Sequence, residues 1–109
     1  MPQTHTVFLT LDAMDDLERI HDYIFHHDSP GRADYVIGKI EKTFGKLTLF
    51  PQRGAYPPEL LEVGIKEYRE VFFKPYRIIY RIQDNKVYVM MIADGRRDLQ
   101  TLLLRRLLG

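Results

Sequence analysis

Five arginines in the second half of this sequence set the chemical question. Arg77 and Arg81 lie in the run Tyr76–Gln83, Arg69 lies in the run before it, and Arg96 and Arg97 follow the next run. β-Branched and aromatic residues fill these runs, which marks them as strands, and side chains alternate faces along a strand. Tyr76, Ile78, Tyr80 and Ile82 therefore share one face, which we assign to the core, while Arg77, Ile79 and Arg81 share the other. With a suitable hairpin register Arg69 reaches that second surface, and Arg96 and Arg97 close its end. All five guanidinium groups can then surround one concavity as an anion- or target-binding set. Guanidinium presents a planar fork that grips phosphate or carboxylate through two parallel hydrogen bonds. Like charges repel, so such a cluster is costly unless an anion is present. The competing reading pairs these arginines with Glu67, Glu70 and Asp94 as solvated rim charges. Arginine stabilises negative charge, but with a pKa above about 12 it is a poor proton carrier.

Other chemistry finds less support. His21, His26 and His27 do not have the spacing of a metal site, because helical ligand pairs usually sit four apart and His26 and His27 are adjacent. The chain has no cysteine, which removes disulfides and thiolate metal sites. Neither a metal nor a cofactor is expected. There is no glycine-rich phosphate loop, no nucleophile elbow and no spaced carboxylate pair suited to acid–base work. Tyr68, Tyr76, Tyr80 and Tyr88 offer faces on which bases can stack. Strand tyrosines more commonly pack the edge of a core with the hydroxyl in water, and we favour that reading.

The charge distribution agrees with an anionic partner. The net charge is +1, but residues 1–64 carry six Lys and Arg against ten Asp and Glu, a net −4, and residues 65–109 carry ten against five, a net +5. A basic half points to nucleic acid, a nucleoprotein or an acidic protein segment. The 109 residues suit a single domain over 1–109, and 45% hydrophobic with 28% charged residues is ordinary for a globular protein. No apolar run approaches the roughly 18–20 residues that span a bilayer. The N-terminus lacks a basic stretch followed by an apolar one, so a cytoplasmic location is expected.

The elements that must position these residues follow from periodicity. His5–Thr10 reads as a strand. Asp12 is a suitable N-cap for a helix with Met14, Leu17, His21 and Ile24 on its buried face. His26–Pro30 breaks that helix, Ser29 caps a second one with Pro30 at its first position, and Ala33, Ile37, Ile40, Phe44 and Leu47 form its apolar stripe. The second helix ends at Phe50–Pro51, and the two form an αα-hairpin. Residues 51–64, rich in Pro and Gly, read as an irregular loop. Ile65–Phe73, Tyr76–Gln83 and Lys86–Ala93 form an antiparallel meander with turns at Lys74–Pro75 and Asp84–Asn85. Asp98 caps a last helix, Leu99–Leu108. The order β-α-α-β-β-β-α predicts an α+β domain with the N-terminal helical hairpin packed on a small antiparallel sheet, whose other face is partly in water.

The run Arg69-Glu-Val-Phe-Phe-Lys-Pro-Tyr-Arg-Ile-Ile-Tyr-Arg-Ile, then Val87–Ile92, then Gly95-Arg-Arg-Asp98, resembles the C-terminal half of RelE/ParE toxins. Asp16-Leu-Glu-Arg-Ile-His-Asp-Tyr-Ile, Ala33, Leu49-Phe-Pro51 and Gly54 are similar to the helical hairpin of the ParE branch. The resemblance covers nearly the whole chain. It implies a cytoplasmic, growth-arresting toxin of a plasmid-stabilisation or toxin–antitoxin system, encoded beside an antitoxin that wraps it into a hetero-oligomer. The ParE branch blocks DNA gyrase, whereas the RelE branch cleaves messenger RNA in the ribosomal A site. RelE-type cleavage uses basic residues on the sheet and a C-terminal tyrosine. Carried over, Arg69, Arg77 and Arg97 keep basic residues, but the second strand lysine falls at Val71 and the tyrosine at Leu103. These departures favour a ParE-like inhibitor, with a metal-independent endoribonuclease as the alternative. Antitoxins of this kind fold on binding and lay an amphipathic segment on apolar surface. The tail leucines Leu103, Leu104 and Leu107 offer such a surface unless they pack on the chain's own sheet.

Overall fold

The first helix begins earlier than its acidic residues suggest. The structure, a computed structural model, describes residues 4–108. Thr6–Leu9 form strand β1, and the chain turns directly into α1, Leu11–His27. Thr10 keeps an extended backbone, and its Oγ1 accepts the Ala13 N–H at 3.1 Å, so Thr10 rather than Asp12 is the N-cap. Asp12 sits in the first turn, where its charge still complements the helix N-terminus. The stripe facing the core is Ala13, Leu17, Ile20 and Ile24, and Met14 stays exposed. At the next helix the cap lies where the sequence places it. Ser29 Oγ accepts the Arg32 N–H at 3.0 Å and Pro30 opens α2, Pro30–Gly45. A 3₁₀ turn, Lys46–Thr48, then seats Leu47 in the core.

Three strands follow as an antiparallel meander: β2 Tyr68–Phe73, β3 Tyr76–Gln83 and β4 Lys86–Asp94. The turn between β3 and β4 holds Asp84 at φ 56°, a left-handed conformation that Asp tolerates. β1 pairs in parallel with β4, which gives the sheet order β1-β4-β3-β2. Residues 51–64 are more ordered than their composition suggests. Pro58–Leu61 form a single-turn helix, α3, with Pro58 at its start and Leu60 buried beneath it. The last helix, α4, spans Gln100–Leu108, and Asp98 Oδ1 accepts the Gln100 N–H at 3.2 Å.

Both faces of the sheet are covered, which corrects the expectation of a partly open one. On one face Val71, Ile78, Tyr80, Val87, Val89 and Ile92 pack against the α1–α2 hairpin. On the other, Tyr68, Ile79, Met91 and Ala93 pack under Leu60 of α3 and Leu99 and Leu103 of α4. The reason lies in residue type. Ile79 sits between Arg77 and Arg81 but is wholly buried, and the leucines of α4 have no other apolar surface to meet. A bulge helps. Ile79 pairs with Met91 while Tyr80 pairs with Val89, so Met90 is extra, and Met90 and Met91 both pack on the α4 side.

Candidate functional site

The register of β2 on β3 separates the five arginines. Arg69 lies opposite Tyr80, on the hairpin side, whereas Arg77 and Arg81 alternate onto the α4 side. Arg69 is committed locally. Its Nη1 donates to the Gly54 carbonyl at 2.9 Å and the Gln52 carbonyl at 3.3 Å, and its guanidinium lies 4.7 Å from the centre of the Tyr56 ring. It braces the loop leading to α3.

Arg77 is buried and fully paired. Its Nε donates to Glu70 Oε1 at 2.7 Å, and its Nη2 donates to Glu59 Oε1 at 2.7 Å. Those hydrogen bonds hold the Glu59 carboxyl below its ordinary range. Burial pushes Glu70 the other way, above its ordinary range, although Arg77 opposes the shift. The guanidinium is held still more firmly protonated than usual, chiefly by Glu59. Arg77 thus pins α3 to the sheet and presents no face to a ligand. Its stem also lies against Gly95, where an added Cβ would come within 2.8 Å of Arg77 Cδ, so it seats the turn that carries Arg96 and Arg97.

The remaining arginines are accessible at two separate places. Arg81 donates to Gln83 Oε1 at 3.1 Å and, with Lys66, Glu67 and Arg69, lines a cleft of about 280 Å³. Arg96 and Arg97 line a larger groove of about 510 Å³ between α1 and α4, together with Arg19, Tyr23 and Arg106. Arg96 grips Asp94 at 2.6 Å, which holds that carboxyl below its ordinary range. The single cluster expected of Arg69, Arg77 and Arg97 therefore does not form, because register turns Arg69 away and two carboxylates retain Arg77. The pairings with Glu70 and Asp94 follow the rim-charge alternative instead, though Arg77 is buried rather than solvated.

Other candidate residues also take structural places. Leu103 is wholly buried, and Leu104 and Leu107 pack partly buried beside it, so Leu103 offers a partner no surface in this fold. Tyr80 is wholly buried and its hydroxyl is not in water. It donates to the Pro51 carbonyl at 2.6 Å and accepts the Gly54 N–H at 3.0 Å. His21, His26 and His27 lie on α1 rather than on the sheet, and His21 bridges Asp22 and Asp34 at 3.4 and 3.3 Å. Tyr76 lines the groove with its hydroxyl pKa raised by burial, so it stays protonated and serves as a donor rather than a base. The groove is equipped to bind, not to move protons.

Residues 7–99 match the family of the ParE toxin of type II toxin-antitoxin system, parDE. The chain belongs to the ParE toxin family. Among relatives, Toxin ParE3 of Caulobacter vibrioides is 27% identical over 93 residues, which cover 85% of this chain and 89% of that protein. Two solved structures share the fold. One, described as the chromosomal ParDE toxin–antitoxin system from P. aeruginosa, is 18% identical with a TM-score of 0.71, and the match covers 84% of this chain and 97% of that one. The other, the toxin–antitoxin complex RelBE2 from Mycobacterium tuberculosis, is 24% identical with a TM-score of 0.57, covering 84% of this chain and 98% of that one. The α+β order read from periodicity is thus the ParE fold. Among the described residues, no helix of this ParE-family chain is long and apolar enough to cross a membrane.

Proposed function

We propose that this toxin acts in the cytoplasm by inhibiting DNA gyrase through binding alone, and that a cognate antitoxin neutralises it by covering its surface. One observation carries the non-catalytic reading. The positions at which the RelE resemblance would require a lysine and a tyrosine hold Val71 and Leu103, both buried in separate cores. Phosphodiester cleavage without a metal needs proton transfer at the 2′-hydroxyl and at the leaving oxygen. Arg69 and Arg77 cannot supply it, and both are engaged by the fold. Gripping a protein or a phosphate needs no such transfer. Arg81, Arg96 and Arg97 are the members of the arginine set that remain accessible for target contact.

Induced expression in bacteria tests this reading. Growth arrest is expected, with plasmid DNA losing negative supercoils while messenger RNA stays intact, and co-expression of the neighbouring gene's product relieves it. Transcripts cut at ribosomal A-site codons, with supercoiling unchanged, overturn it in favour of the ribonuclease.

A further inference from the structure

We infer that the groove between α1 and α4 receives an extended acidic peptide, added as a fifth strand along the C-terminal half of β4. The inference rests on the proposed neutralisation by a partner protein and names the chemistry of the segment that does it. β1 pairs only with Lys86–Val89, yet β4 continues to Asp94. Beyond Val89 the outer edge of β4 has no strand beside it. Ile92 and Asp94 lie opposite Ile78 and Tyr76, two positions apart, so the ladder turns the main-chain groups of both in the same direction. That direction is outward, since the Ile92 N–H meets a side chain of α1 rather than β3.

A carboxylate already stands where a strand carbonyl would. Asp16 Oδ2 accepts the Ile92 N–H at 3.0 Å and is itself held by Arg106 Nη2 at 2.9 Å. The same Arg106 nitrogen lies 3.3 Å from the Met90 carbonyl. The edge is thus guarded by two side chains, a common defence of exposed strands. Around it the groove is amphipathic. Ile20 and Ile24 of α1 and Leu102 of α4 form apolar walls, and Arg19, Arg96, Arg97 and Arg106 outnumber Asp16 and Asp94.

These features select a peptide. A strand edge presents donors and acceptors in alternation, and a polypeptide main chain answers both, whereas a nucleic-acid backbone offers mainly acceptors. Arginine excess selects carboxylates along it. Strand alternation places apolar side chains against the walls at every second residue. As the peptide carbonyl takes the Ile92 N–H, Asp16 swings away and keeps Arg106.

The test is a titration of the full ¹⁵N-labelled chain with a blocked seven-residue peptide alternating glutamate and valine. Saturable shifts are expected at the Ile92 and Asp94 amides. N-methylation of alternate peptide bonds abolishes them, and a lysine–valine counterpart binds at least ten-fold more weakly. The double variant R19E/R97E weakens both the peptide and the antitoxin at least ten-fold. Shifts confined to the cleft around Lys66 and Arg81, equal binding of the lysine peptide, or the same shifts with a thymidine heptanucleotide overturn the inference. So does undiminished antitoxin affinity in the double variant, which leaves gyrase inhibition standing. Gyrase unaffected by the toxin removes that reading and leaves the titration as it is.

Discussion

Replacing Arg77 by Met removes a buried cation that two carboxylates depend on. Glu70 is only 4% exposed, so it loses its partner where water cannot replace it. Breaking a buried pair by deleting one member destabilises by about 3–5 kcal/mol. The Glu59 side chain is 22% exposed and partly screened, which favours the lower end, about 3 kcal/mol. For a chain near 100 residues each kcal/mol moves Tm by about 4–8 °C, so Tm falls by roughly 12–24 °C at neutral pH. The deficit also depends on pH. Burial already raises the Glu70 carboxyl, and losing Arg77 raises it further. A carboxyl raised in the folded state keeps its proton where the unfolded chain has lost it. Its favourable term is therefore present at low pH and lost as pH rises through the folded value. The variant should be closer to wild type at pH 5 than at pH 8. Urea denaturation followed by circular dichroism at both values measures this, and a companion with Glu59 and Glu70 also made apolar should regain most of the loss. A deficit below about 1 kcal/mol at pH 8, or one that is the same at pH 5, would refute the reasoning.

Three further outcomes follow from the same geometry. Tyr80→Phe leaves the Gly54 N–H and the Pro51 carbonyl without their buried partner, so stability in urea should fall by about 1–3 kcal/mol; no change would mean that water reaches them. Gly54→Ala would bring a Cβ within 2.6 Å of both the Tyr80 hydroxyl and the Glu70 carbonyl, and overpacking of this kind destabilises by about 1–3 kcal/mol, which thermal melts would detect. His21 should titrate above its reference value of 6.5 in an NMR pH series, raised first by Asp22 and then by Asp34. Its stabilising effect is present below that reference value and lost as pH rises through the folded one, and His21→Gln should remove this dependence. A titration midpoint at or below 6.5 contradicts the bridge between α1 and α2.

Much of the fold was legible because local signals were strong. β3 has the bounds Tyr76–Gln83 read from sequence, since turn residues bracket it on both sides. Ser29 and Pro30 open α2 as their types dictate. The candidate site was not legible in the same way. Two-residue alternation along β3 correctly grouped Arg77, Ile79 and Arg81, but it could not say that Arg69 pairs with Tyr80 and so faces the other side. Nor does alternation reveal the extra residue at Met90, which puts two adjacent methionines on one face. Ile79 between two arginines was the available sign that this face is covered, and the partners that cover it come from α3 and α4. The groove residues Asp16, Arg19 and Arg106 were missed because they lie far apart in sequence and meet only through tertiary packing. Asp16 was read only as a charge in the early turns of α1, and its hydrogen bond to Ile92, 76 residues away, has no local signature.

The most direct test of the whole account is a supercoiling assay with purified gyrase, relaxed plasmid and the toxin at micromolar concentration. The account predicts that supercoiling stops and cleaved plasmid accumulates, and that equimolar antitoxin restores full supercoiling. Unimpeded supercoiling by gyrase under those conditions, with the same protein cutting messenger RNA on translating ribosomes, would contradict it.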